Sequence, residues 1–197
     1  MIDAMDVFTT FQQHRGKAIV TTSGIAGRHW QEVSTEERRD VNLGSAMGQT
    51  TSAAFGLALG LPDEKVVLFD SEGALLMNLG VLATIAGKKP RNFYHFLLDN
   101  ECYATTGGQP VPNAQEIDYA GIAEGAGYAS PHRFDDLEDF VTNIEDILNK
   151  PGPVFVSIKI IPEVENLPIS LRQQTSSRSR AETIRDLREE LGITTDA

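Results

Sequence analysis

The run VVLFDSEGALLMNLG, residues 66–80, decides the fold. Val66 to Phe69 are continuously apolar and rich in β-branched side chains, the pattern of a strand buried on both faces. An acid-glycine turn follows at Ser71-Glu72-Gly73, and from Ala74 the apolar residues recur at helical spacing. Outward from this unit the pattern repeats. Short apolar runs lie at Ala18 to Thr22, Phe93 to Leu98 and Val154 to Ile160, with helix-like segments at about 48–60, 74–87, 116–126 and 135–149. The last segment sets Leu137, Phe140, Val141, Ile144 and Ile147 in one stripe among acids. Residues 3–14 add an N-terminal helical pattern closed by Gly16. Strands alternating with helices predict an α/β fold: a doubly wound parallel sheet with helices on both faces, joined by right-handed crossovers. Residues 1–161 read as the domain. Residues 162–197 read as an arm, polar through Gln173, Gln174 and Ser176 to Arg180, with a short helix near 181–191.

Composition narrows the function classes. The 197 residues carry 17 basic and 28 acidic side chains, a net charge of −11. That balance argues against nucleic acid or an anionic membrane surface as partner, since both need clustered Lys and Arg. The single cysteine, Cys102, excludes an intramolecular disulfide and suits a reducing compartment. The first residues lack the basic start and apolar block of a signal peptide. The longest mostly apolar stretch, Thr51 to Leu61, is too short to cross a bilayer. A soluble, cytoplasmic protein is expected.

Ligands of open parallel sheets bind outside the carboxyl ends of the strands. Two polar loops leave strands at that edge, one from Phe69 to Gly80 and one from Leu97 to Gln109. Glu72 and Asn100 are 28 residues apart, one strand-helix-strand unit, which predicts them side by side at neighbouring tips. A carboxylate, an amide oxygen and a nearby main-chain carbonyl form a hard oxygen site suited to magnesium. Gly73 and Ala74 open the next helix, where free N–H groups can meet a phosphate. A single such loop would read equally well as a turn with a helix cap.

The two loops together resemble the magnesium-diphosphate motif of thiamine diphosphate enzymes, Gly-Asp-Gly followed some 25 to 30 residues later by Asn. TTSGIAGR at 21–28, GSAMG at 44–48, ALLMNLG at 74–80 and DNECYATTGGQP at 99–110 extend the resemblance over roughly residues 15–160. In that order they resemble the thiamine diphosphate-dependent 2-oxoacid decarboxylases of the phosphonopyruvate and sulfopyruvate type. The resemblance implies Glu72, Asn100 and the main-chain oxygen of Cys102 as magnesium ligands, and Gly73 and Ala74 as the diphosphate turn. It implies Met47 as the bulky residue beneath the cofactor, with the Ser45 carbonyl and Met47 amide on its aminopyrimidine. Thr105 falls near the diphosphate and Thr106 on the substrate side.

Two departures accompany the match. The family's Gly-Asp-Gly is Ser71-Glu72-Gly73 here, one methylene longer at the carboxylate, and magnesium tolerates poor geometry badly. The sequence therefore leaves open a carboxylate without a metal role. Ile25 stands where the family has Thr or Ser. No segment resembles the family's pyrimidine-binding domain, so the resemblance implies a separate pyrimidine-binding (α) subunit, a hetero-oligomer, a small 2-oxoacid substrate, and inactivity of this chain alone. An acetolactate synthase-like carboligase subunit and a non-catalytic regulatory or scaffold homologue stand as alternatives.

Other candidates read blandly. Cys102 has no local base and is read as a small loop residue. His95 lies within a strand and is read as structural, whereas His29 points to the site or to an interface. Gly56 and Gly60 suit close helix packing. Arg172, Arg178 and Arg180 are candidates for an anionic head group, with solvated arm residues the plainer reading.

Overall fold

Five strands run parallel in the order β1-β2-β3-β7-β6, with β1 Ile19–Thr22, β2 Val66–Ser71, β3 Phe93–Asp99, β6 Ser130–Phe134 and β7 Val154–Lys159. A two-residue antiparallel pair, β4 Cys102–Tyr103 with β5 Gln109–Pro110, folds the loop after β3 into a hairpin. The computed structural model describes residues 1–24, 26–44, 46–164, 171 and 177–193. Ile25, Ser45, Arg172, Gln173, Gln174 and Ser176 therefore lie outside the described residues.

Helices cover both faces, as expected. On one face α1 Ala4–His14, α2 Ala26–Val33 and α7 Leu137–Asn149 bury Val7, Phe8, Phe11, Trp30, Phe140 and Ile144 against Val67, Phe69, Phe96 and Val156. The ring of Phe69 lies 4.8 Å from Phe8, 5.0 Å from Phe11 and 5.2 Å from Phe96. Such a cluster buries about 150–250 Å² per ring and fixes how α1 crosses the sheet. On the other face α3 Thr50–Gly60, α5 Val81–Lys88 and α6 Tyr119–Ala126 pack Phe55, Leu82, Ile85 and Ala123 on Leu68, Phe93, Leu97 and Phe155. The final helix, α8 Arg180–Glu190, opens on a capping box between Ser179 and Glu182 and sets Leu187 into this second core.

Three local readings are corrected. The segment expected as one helix over 74–87 is two, α4 Glu72–Leu76 and α5, separated by turns in which Asn78 N–H bonds Leu75 O and Val81 N–H bonds Asn78 O. The break is held from outside the segment: Asn78 Nδ2 donates to Gly48 O at 2.9 Å. Val141, placed in the α7 stripe, is 46% exposed at its rim. The edge strand β6, SPHRF, carries no apolar run and escaped notice, as did α2.

The β1 rim of the sheet is occupied by the chain itself. Val41 N–H donates to Val20 O at 2.8 Å, and Asp40 bridges Val20 in parallel. Asp40 in turn accepts from Arg15 at 2.6 Å, Trp30 Nε1 at 2.9 Å and Ser34 Oγ at 2.5 Å, so this edge is anchored to α1 and α2. Among the described residues no helix is long and apolar enough to cross a membrane.

Candidate functional site

Adjacent pairing of β2 and β3 sets Ser71 opposite Leu98, which brings Glu72 and Asn100 to neighbouring tips, as the 28-residue spacing predicted. Glu72 is fully buried, and neither carboxylate oxygen has a hydrogen-bond partner. Burial first, and then the charge of Asp99, push its pKa up to about 7. The main-chain N–H groups of Glu72, Asn100 and Cys102 lie near enough to pull it part of the way back, without reaching hydrogen-bonding geometry. Asn100 is 9% exposed, and its Oδ1 accepts from Cys102 N–H at 3.1 Å, which shapes the loop into an Asx turn. Asp99, also buried, is paired with Lys159 at 3.0 Å; the same ammonium reaches Glu101 at 2.7 Å and Ala114 O at 3.3 Å. Glu101 adopts a left-handed φ of 64°, uncommon for a residue with a Cβ, and Lys159 holds it there.

Above these groups a cavity of about 230 Å³ is lined by Ser23, Gly24, Met47, Ser71, Gly73, Asn100, Cys102, Tyr103, Ala104 and Thr105. It brings together Met47, Gly73, Asn100, Cys102 and Thr105, from three separate stretches of sequence. Glu72 and Ala74 do not line it; both are buried directly beside Gly73. Gly73 is required sterically, because a Cβ there would sit 2.8 Å from two carbons of the Tyr103 ring. Thr106 lies outside the cavity wall, its hydroxyl turned to Tyr103 O at 3.3 Å and Gln109 Oε1 at 3.2 Å.

The remaining candidates separate clearly. Burial, then Glu72 and Glu101, push the Cys102 thiol up, so it is no ready nucleophile. His95 is buried in β3, 3.4 Å from Asp70, in keeping with a structural role. His29 stacks on Phe8 and lies 3.0 Å from Glu163, in the wall of a second cavity of about 30 Å³ that also touches Ser71 and Asn100. Arg178 is bound to Asp186 at 2.9 Å and to the main-chain oxygens of Glu37 and Asp40. Sequence reasoning missed Asp70, Thr51, Asn78 and Lys159. Only Asp70, an acid closing an apolar run, carried any local signal.

A buried carboxylate with two unpartnered oxygens beside an amide oxygen fits a hard divalent cation. Among the described residues no three His, Cys, Asp or Glu side chains cluster as a metal site, so a cation held here would take one charge from Glu72 and need others from its ligand. Magnesium held together with a diphosphate meets that condition.

Residues 21–158 match the family described as thiamine pyrophosphate enzyme, C-terminal TPP binding domain. The chain belongs to this family. It is 37% identical over 151 residues to the sulfopyruvate decarboxylase subunit beta of Methanothermobacter thermautotrophicus, covering 77% of each chain. It is 33% identical over 145 residues to the phosphonopyruvate decarboxylase of Streptomyces hygroscopicus, with 74% of this chain covering 35% of that one. Among solved structures, the benzoylformate decarboxylase of Polynucleobacter necessarius superposes with a TM-score of 0.67 at 18% identity, over 83% of this chain and 34% of the other. The chain thus covers about a third of the phosphonopyruvate and benzoylformate decarboxylases and about three quarters of the subunit beta.

Proposed function

We propose that this thiamine pyrophosphate enzyme is the diphosphate-binding subunit of a 2-oxoacid decarboxylase, acting on a three-carbon 2-oxoacid with a sulfonate or phosphonate head. The observation that carries the reading is the buried, unpartnered carboxylate of Glu72 beside Asn100, at the edge of a cavity walled by Met47, Gly73 and Thr105. Residues 1–161 form the binding domain in this reading and 162–197 the arm, in a cytoplasmic protein.

Glu72, Asn100 and the Cys102 carbonyl would hold magnesium. The N–H groups of Gly73 and Ala74, with Thr105, would hold the diphosphate, and Met47 would support the cofactor from below, with the Ser45 carbonyl and Met47 amide on its pyrimidine. The chemistry supplied by the bound cofactor is an electron sink for the charge left when carbon dioxide departs. This chain's part is binding and orientation. Thr106 is its substrate-side candidate, and its displacement from the cavity wall means the substrate would approach from the rim. No general acid or base is assigned to this chain; a separate α subunit would supply the carboxylate that meets the pyrimidine. The name of the Methanothermobacter relative, a subunit beta covered over 77% of its length, supports such a division.

Calorimetric titration of the purified chain with thiamine diphosphate and magnesium, repeated with the α subunit, tests the reading. Weak magnesium-dependent binding that tightens with the partner is expected. Decarboxylation by the single chain would refute the division, and absence of binding in both arms would refute the site.

A further inference from the structure

We infer that Asn78 is a positioning residue that fixes Met47 relative to the Glu72–Ala74 turn, with the buried pair Thr51 and Asp70 as a second tie. The inference rests on the proposed cofactor site and adds to it the device that sets the distance between its two ends.

Met47 and Gly73 face the same cavity from different elements. Met47 lies in the turn that leads into α3, and Gly73 lies in α4. Among the described residues no main-chain hydrogen bond joins these two turns. The side chains do. Asn78, in the turn after α4, donates from Nδ2 to Gly48 O at 2.9 Å and to Ser52 Oγ at 3.3 Å. Gly48 adopts φ +78°, and a Cβ there would come within 3.1 Å of Met77 Cβ and 3.5 Å of Asn78 Cβ, so the two turns are in close contact at this point. On the inner side, Thr51 Oγ1 donates to Asp70 Oδ2 at 2.5 Å, and Asp70 Oδ1 accepts from Ser71 N–H at 2.9 Å. Thr51 is 2% and Asp70 0% exposed. One turn of α3 is therefore fastened on both sides of Glu72, to the residue two before it and the residue six after it.

A rigid cofactor gripped at both ends is sensitive to that distance, since small displacements of binding groups cost orders of magnitude. Asn78 itself is exposed. A solvent-facing asparagine in a turn needs no partner for stability, yet here its amide spans 30 residues to a carbonyl adjoining Met47.

The test uses Asn78→Ala and Asn78→Asp in the full chain; the second keeps the shape and removes the donor. In the cofactor-free chain, hydrogen exchange at the Gln49 amide, which closes its turn on Ala46 O, is expected to quicken roughly fivefold to tenfold, while β2 stays protected. Calorimetry in the presence of the α subunit then compares magnesium-thiamine diphosphate with magnesium-inorganic pyrophosphate, a probe of the diphosphate end alone. The affinity for thiamine diphosphate is expected to fall roughly tenfold with pyrophosphate unchanged. Thr51→Val should reproduce the split. Unchanged exchange at Gln49, or an equal loss for both probes, would overturn the inference. A wild-type chain that binds neither probe would instead remove the cofactor reading, and the exchange measurement would still decide whether Asn78 holds the Met47 turn.

Discussion

Replacing Glu72 by Gln in the metal-free chain exchanges a carboxylate for a neutral group of the same shape, and the structure fixes the sign of the effect. The folded state raises this carboxyl from 4.5 to about 7, burial first and Asp99 second. A raised acid pKa means that the native state holds its proton more tightly than the unfolded chain. The cost is absent well below pH 4.5, grows between 4.5 and 7, and is complete above 7. At about 1.36 kcal/mol for each tenfold change in proton affinity, the full cost is about 3 kcal/mol. The effect of Glu72→Gln on stability is therefore expected to be more favourable at pH 8.5 than at pH 5 by about 2–3 kcal/mol. The buried amide leaves its own polar atoms unpartnered at every pH, so the difference between the two conditions is the quantity to read. Urea denaturation with a chelator present, fitted at constant m, measures it. Equal effects at both pH values would refute the picture of a desolvated, unpaired carboxylate. Magnesium with thiamine diphosphate should reverse the order, stabilising wild type and leaving the variant unmoved.

Three further outcomes are expected. Lys159→Met leaves Asp99 buried without its cation; since burial already raises that carboxyl, stability should fall by about 2–3 kcal/mol at pH 8 and by less at pH 5, read from urea midpoints. Gly73→Ala drives a methyl into the Tyr103 ring and should cost about 1–3 kcal/mol, largely recovered when Tyr103 is also changed to Ala in a double-mutant cycle. Met47→Ala removes a side chain that is 38% exposed and should alter the thermal midpoint little. The same change should weaken thiamine diphosphate roughly tenfold by calorimetry, a loss of about 1.4 kcal/mol.

The interior of the sheet was legible because β2, β3 and β7 are buried on both faces and so read as unbroken apolar runs. The edge strand β6 needs no such run: Ser130, Pro131, His132 and Arg133 are only partly buried or exposed, and pairing with β7 alone makes them a strand. Residues 74–87 keep helical spacing throughout, so the break at Met77 to Gly80 leaves no local mark. Within that break the Asn78 side chain bonds a carbonyl 30 residues upstream. At the site, Glu72 and Asn100 were found because each follows a recognisable strand at a spacing that implies adjacency. Lys159 was not, since only the β3–β7 register, Asp99 opposite Lys159, sets it there. Thr106 shows the reverse: motif position suggested the substrate side, while local bonds to Tyr103 and Gln109 hold it off the cavity wall.

The two rims of the sheet carry a consequence for self-association. A parallel sheet ends in rows of amide and carbonyl groups that can template a strand from another molecule. On the β1 side, Asp40 and Val41 already take that place. On the β6 side, Pro131 withholds an amide from the row and Arg133 sets an exposed charge beside it. Fibre-like growth by strand addition is thus blunted at either end.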